Sequence, residues 1–460
     1  MVPIILCIAA FAFALVAARR SLVAGLTVVT SVGYFYGILR ANLPEVASHF
    51  IFDAAVVGLY AAQLFGGRGG VRRRDWQVLC IWVGALVAWP FLLFFVPAQD
   101  YTVQFVGLRG NVFLLPFLLL GARLRGEEVR RLALTFAALN LLVFSFASAE
   151  YVLGVERFYP RNAVTELIYK SAVDENFENP DRATALRIPA TFSSAHAYAG
   201  AMVLTFAFLL GAWVQGEQFR RWQRHVLAGA MAASLLGVFM AAARSPVIIL
   251  ALMLVVAASS GALKRHGWAF MLALLVGVGW LVSSEGRLQR FTTLGDVDYV
   301  GERVSWSVNG NFLDLAVEYP MGNGLGGGGT SIPYFLEGRV REPLYYMENE
   351  YARIALEQGA LGLCLWAGFL AWLFTRRTTR RGDEWFLGRR MLWAAAAVFF
   401  ATGMIGKGLL TSIPGTALLL LSIGWLAVRR QEAVVVEEPE PAAGLKPDEE
   451  VRQVLARYYG

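Results

Sequence analysis

The sequence predicts an all-α polytopic membrane protein with about 12–14 transmembrane helices and one large extramembrane loop, and three observations predict it. Hydrophobic residues make up 57% of the 460 and the mean hydropathy is +0.53, more apolar surface than a soluble fold can hide. Apolar runs such as 81–96 and 201–214 approach the roughly 20 residues needed to cross about 30 Å of hydrocarbon, whereas a barrel would show short alternating segments. Arginine, finally, crowds every second short loop between those runs.

In chain order, the runs place spans near 2–18, 21–40, 51–66, 76–96, 103–121, 132–154, 193–214, 226–242, 246–262, 267–283, 352–375, 391–408 and 412–428. Arg19 and Arg20 follow the first run instead of preceding it, so that segment reads as a retained helix and not a cleaved signal. Arg72-Arg73-Arg74, 123–131, 220–224, Lys264-Arg265 and 376–390 fall on one side, which the positive-inside rule makes cytoplasmic. The net charge of +7 therefore sets orientation and does not imply nucleic acid. The other side carries 97–101, a medium loop near 155–192 and a long loop near 284–351. After Arg430 the composition turns Glu/Pro-rich and too polar for a core, giving a transmembrane domain over 1–430 and a flexible cytoplasmic tail over 431–460. No internal repeat of the transporter kind is evident. Cys7, Cys80 and Cys364 lie in apolar runs without paired spacing, which implies neither disulfide nor zinc.

Candidate chemistry gathers on the arginine-poor side. Arg244, in Ala-Ala-Ala-Arg-Ser-Pro between two apolar runs, sits where a guanidinium can grip a phosphate with paired N–H donors; the plainer reading is a snorkelling interfacial arginine. Arg187 precedes Ile-Pro-Ala-Thr-Phe-Ser-Ser-Ala-His196, where the medium loop re-enters the membrane, with Ser193, Ser194 and His196 at a helix mouth; His196 reads as either a hydrogen-bonded structural histidine or a reactive one. In the long loop, Arg303-Val-Ser-Trp306 opens an amphipathic stretch. The glycine-rich segment 320–329 follows; lacking the Lys-Ser/Thr of a P-loop, it suits close backbone approach to a ligand or simple flexibility. Glu348, about one turn before an apolar span, is either a general base for a sugar hydroxyl or a helix-start acid favoured by the dipole. Trp306, Tyr334, Phe335, Tyr345 and Tyr346 suit sugar stacking and membrane interfaces equally. Asp296-Val-Asp298 has a metal-holding spacing but no companion ligands, so no metal is expected. Arg109, inside a span, is a substrate-pocket candidate because intramembrane charge needs a purpose.

Taken in order, Arg187…Thr191-Phe192, Ala243-Arg244-Ser245, Arg303-x-x-Trp306, Pro320-x-Gly-x-Gly-x-Gly and Glu348-Asn-Glu-Tyr-x-x-x-x-x-Glu357-x-Gly-x-x-Gly362 resemble the O-antigen ligase/polymerase superfamily, the Wzy- and WaaL-type membrane glycosyltransferases. The resemblance runs from about the sixth span to the eleventh. It implies a GT-C-like inner-membrane enzyme whose large loop is periplasmic and whose donor is an undecaprenyl-diphosphate-linked glycan, working without cofactor or metal. By position, Arg187, Arg244 and Arg303 would bind the diphosphate and Glu348 would activate the acceptor, with Arg109, His196, Asn349 and Tyr351 around the substrate. Membrane lipids and a chain-length regulator would be partners; nucleic acid would not. Ligases of the family present His-Asn where this chain has Glu348-Asn349, which points to a repeat-unit polymerase for O-antigen, capsule or exopolysaccharide. A ligase acting on lipid A-core and a flippase for lipid-linked sugars are the alternatives.

Overall fold

In a computed structural model, the described residues are 1–63, 66–67, 70–166, 168–169, 187–215, 219–259, 298, 301, 312–329, 332–341, 349–376, 385–406 and 408–429. Among them the helices are α1 (Val2–Arg20), α2 (Leu22–Asn42), α3 (Ile51–Gln63), α4 (Arg73–Leu93), α5 (Tyr101–Val112), α6 (Phe117–Arg123), α7 (Gly126–Leu153), α8 (Ala195–Val214), α9 (Arg221–Met240), α10 (Arg244–Ser259), α11 (Phe312–Glu318), α12 (Glu350–Thr375), α13 (Phe386–Thr402) and α14 (Gly415–Ala427). Eight segments of the described chain are long and apolar enough to cross a bilayer, so this is a multi-pass membrane protein. The predicted span at 267–283 and the tail after Arg429 lie outside the described residues.

Local sequence sets where the helices begin and end. Ser21 takes an extended conformation and its hydroxyl accepts from the Ala24 amide, which separates α1 from α2. Asp100 and Ser194 start α5 and α8 the same way, accepting from Thr102 N and Ala197 N. Gly154, at φ 87°, stops α7.

α8 is apolar all round, and 83% of its best apolar window is buried, against 22% for α1. α8 is therefore the central helix, whereas α1 packs on α2 and α3 and turns the rest of its surface outward. Asn140 on α7 ties the centre together. It accepts from Tyr34 Oη (2.9 Å) and donates to Thr205 Oγ1 (2.9 Å) and Ser234 Oγ (2.8 Å), linking α2, α7, α8 and α9.

The predicted span at 103–121 is two helices. Pro116 has no amide hydrogen to continue the ladder, and residues 113–116 form turns between α5 and α6. Tyr60 Oη donates to the Phe113 carbonyl at 2.7 Å, one of the groups that the break releases. α13 likewise stops at Thr402, short of the expected 408, and α14 starts only at Gly415.

Two ends of the bundle differ in chemistry. At the arginine-rich end, Arg123 donates to the carbonyl and side chain of Gln63, and Asp75 holds Arg376 (2.5 Å) and the Arg429 amide (2.9 Å). The opposite end carries the candidate residues.

Candidate substrate site at the arginine-poor end

The stretch 187–194 is non-helical backbone with an unusually complete set of partners. Ile188 N donates to Met240 O at the end of α9 (3.4 Å), and Ala190 N donates to Glu150 Oε2 on α7 (2.9 Å). Thr191 inserts into α2: its carbonyl accepts from Ile38 N (3.0 Å) while its hydroxyl donates to Tyr34 O (2.5 Å), the two groups that an uninterrupted helix would pair. Gly37 makes this approach feasible, because a Cβ there would lie 2.0 Å from the Phe192 carbonyl carbon. The Tyr159 hydroxyl donates to the carbonyls of Ala190 and Phe192, and burial pushes its pKa well above the usual phenol value, so it stays a donor.

This stretch sets Arg187 beside the break that carries Arg244. Arg244 is the first residue of α10, three residues separating it from α9; the Ile188–Met240 bond ties the Arg187 stretch to the end of α9, four residues before Arg244. Both arginines are half-buried. Each segment also holds an alanine in the left-handed region, Ala190 at φ 52° and Ala242 at φ 48°. An L-residue with a Cβ adopts that conformation at a cost, and such outliers persist where surrounding structure imposes them. The Ser194 hydroxyl, expected at a helix mouth, caps α8, and His196 lies exposed in the first turn of that helix.

Sequence reasoning missed a fully buried arginine at this end. Arg353 is 1% exposed and lies between Glu350 (1%) and Glu357 (0%) on the same helix. Its Nε and Nη2 donate to Glu350 Oε1 (2.9 and 2.8 Å), and its Nη1 donates to Glu357 Oε2 (2.8 Å) and Asn111 Oδ1 (2.9 Å). Asn111 also donates to Glu357 Oε2 (2.7 Å). Glu350 Oε2 in turn accepts from the amides of Gly408 and Leu409 in the non-helical stretch after α13. The spacing 350, 353, 357 puts all three charges on one face of α12, a signal legible in the sequence once the span is known to begin at 350.

The glycine-rich segment lies on this helix. Gly359 adopts φ 68° and ψ −169°, kinking α12; a Cβ there would come within 2.2 Å of the Pro320 carbonyl, and Ala360 N donates to that same oxygen. Asn323 N donates to Leu356 O. The close backbone approach expected of these glycines is thus to the protein's own chain.

Of the other predicted residues, Asn349 is 1% exposed and caps α12, its Oδ1 accepting from Tyr351 N (2.8 Å) and Ala352 N (3.2 Å). Tyr351 donates to Phe400 O (2.9 Å). Arg109 pairs with Asp53 through Nε (2.8 Å) and Nη2 (2.5 Å). Arg303 and Glu348 lie outside the described residues, as do Trp306, Tyr345, Tyr346 and Asp296. Among the described residues, no three His, Cys, Asp or Glu side chains are grouped to hold a metal. No family model matches this chain, and neither the characterised proteins nor the solved structures compared with it give a match.

Proposed function

We propose that the protein is a metal-independent glycan polymerase of the bacterial inner membrane, which transfers a glycan from an undecaprenyl-diphosphate carrier to a sugar hydroxyl at the periplasmic face. The supporting observation is the meeting of the Arg187 and Arg244 segments, joined by the Ile188–Met240 hydrogen bond at the end of the bundle remote from the arginine-rich loops. Two guanidinium groups carried on adjacent segments suit the two phosphates of one carrier headgroup. In this reaction the acceptor oxygen attacks the anomeric carbon as the carbon–oxygen bond to the diphosphate breaks. The carrier leaves as its diphosphate and Glu348 takes the hydroxyl proton. A diphosphate is a good leaving group, so most of the enzyme's task is to hold both substrates and stabilise the departing charge. Arg303 contributes to the same anion site.

A flippase for the same lipid-linked sugar is the second reading, favoured by the buried Arg353 cluster beside broken helices, an arrangement at home in transporters. Purified protein in detergent separates the two, because no compartments exist there. Incubated with lipid-linked repeat units, a polymerase lengthens the glycan; unchanged repeats would remove the glycosyltransferase assignment. Transfer of glycan only when lipid A-core is supplied would make the enzyme a ligase.

A further inference from the structure

Glycosyl transfer needs a place for the incoming chain, and a second cationic cluster lies next to the donor segments. Arg109 and Asp53 neutralise each other in their two-bonded pair. Arg40, near the end of α2, has no carboxylate partner among the described residues. Its guanidinium lies 5.5 Å from the Tyr36 ring, and its buried Nε has no hydrogen-bond acceptor among those residues. One positive charge is therefore left over. The charges of Arg40 and Arg109 both act on His49, whose Nε2 is also buried without a described partner. Beyond His49 stand two exposed rings: Tyr334 (40% exposed) at 6.2 Å and Phe335 (37%) at 5.6 Å from the imidazole, set nearly perpendicular to each other.

We propose that this Arg40–His49–Tyr334–Phe335 cluster is an acceptor subsite selective for acidic sugars. Aromatic faces take the apolar side of a pyranose ring, an unmatched guanidinium takes a sugar carboxylate, and a ring nitrogen in need of a partner takes a hydroxyl. The cluster adjoins the donor segments. Arg40 lies three residues after Gly37, which abuts Phe192, and its charge reaches Tyr159, which holds the Ala190 and Phe192 carbonyls. A lipid headgroup would satisfy the guanidinium equally well, but it would leave the paired rings of the 332–341 segment without a role. The subsite's biological role depends on the glycosyl transfer proposed above; its binding chemistry does not.

Calorimetric titration of the full-length protein, in an uncharged detergent without a sugar headgroup, compares trigalacturonate with its carboxyl-reduced form. The acidic trisaccharide should bind at least about tenfold more tightly, as a charge-assisted hydrogen bond requires. Arg40→Gln should abolish that preference, Arg40→Lys should keep part of it, and replacing Tyr334 and Phe335 by Ala should weaken both ligands. Arg187→Gln and Arg244→Gln should leave the preference intact while glycan transfer falls. Equal affinity for the two trisaccharides, or a preference that survives Arg40→Gln, overturns the subsite. Tighter, Arg40-dependent binding of phosphatidylglycerol micelles overturns it in favour of a lipid headgroup. An acidic preference in a protein with no transferase activity keeps the subsite and removes the polymerase.

Discussion

Arg353 and the Arg187/Arg244 pair of segments sit at the same end of the bundle, but the chain positions them by opposite means. Arg353 is fixed by its own side-chain partners: every guanidinium nitrogen donates to Glu350 or Glu357 on its own helix or to Asn111 on α5. Arg187 and Arg244 ride on irregular backbone that other residues pin, through Thr191, Tyr159, Glu150 and two left-handed alanines. A guanidinium held between two buried carboxylates stabilises the fold. Arg187 and Arg244 are instead carried on neighbouring stretches of backbone whose conformation other residues impose. The first is structural and the second is a candidate for chemistry, although both are arginines near the same membrane boundary.

The largest effect that tests this contrast is on folding. Arg353→Met would leave two buried carboxylates facing each other, and breaking a buried ion pair in this way costs about 3–5 kcal/mol. The variant should be lost from the membrane fraction or aggregate on size-exclusion chromatography. A well-behaved Arg353→Met protein would show that the cluster carries little of the fold's stability. Arg244→Ala should behave in the opposite way, with normal expression and melting temperature but glycan transfer reduced by about two to three orders of magnitude, as when a donor to a developing charge is removed. Wild-type chain lengths from this variant would put Arg244 on the structural side of the comparison.

A smaller effect probes the pinning itself. Tyr159→Phe deletes the donor to the Ala190 and Phe192 carbonyls, at about 1–3 kcal/mol for buried acceptors left unmet. The folded pKa of Tyr159 is raised, so its stabilisation is complete below the ordinary phenol value of about 10 and is lost as pH climbs above it. The stability gap between wild type and Tyr159→Phe should therefore be constant through neutral pH and shrink in alkali. A gap that persists unchanged at high pH would mean that the hydroxyl does not hold this stretch.

The two regions were not equally legible. Span positions followed from hydropathy, and most helices begin within a few residues of the expected boundary, because burial in lipid demands continuous apolar length. The break at 113–116 was signalled by Pro116 but hidden by the apolar residues around it, which read as one span. Arg187 and Arg244 stood out by lying at the wrong end for arginine. Arg353 did not, since its significance depends on Asn111, 242 residues away, and on the amides of Gly408 and Leu409. The glycines of 320–329 announced a tight approach, yet their partner, the kink at Gly359, is set by tertiary packing that no local pattern records. Arg40 and His49 were missed for the same reason: neither has a neighbour in sequence that suggests the aromatic pair at 334–335.

The smallest expected effect bears most directly on how the two arginine segments are held. Left-handed alanine costs roughly 1–2 kcal/mol, and glycine at the same position relieves it but adds roughly 0.5–1 kcal/mol of unfolded-chain entropy. Ala190→Gly and Ala242→Gly should therefore change the melting temperature little. If the two turns aim Arg187 and Arg244, loosening them should still lower glycan transfer severalfold without weakening the fold, because a donor displaced by even a fraction of an ångström stabilises the departing diphosphate less well. A glycine introduced on the exposed surface of α7, as in Ser145→Gly, supplies the control for a general backbone effect. Full activity in both alanine variants would mean that these turns merely connect α7, α8, α9 and α10, and that side-chain partners, as for Arg353, do the positioning after all.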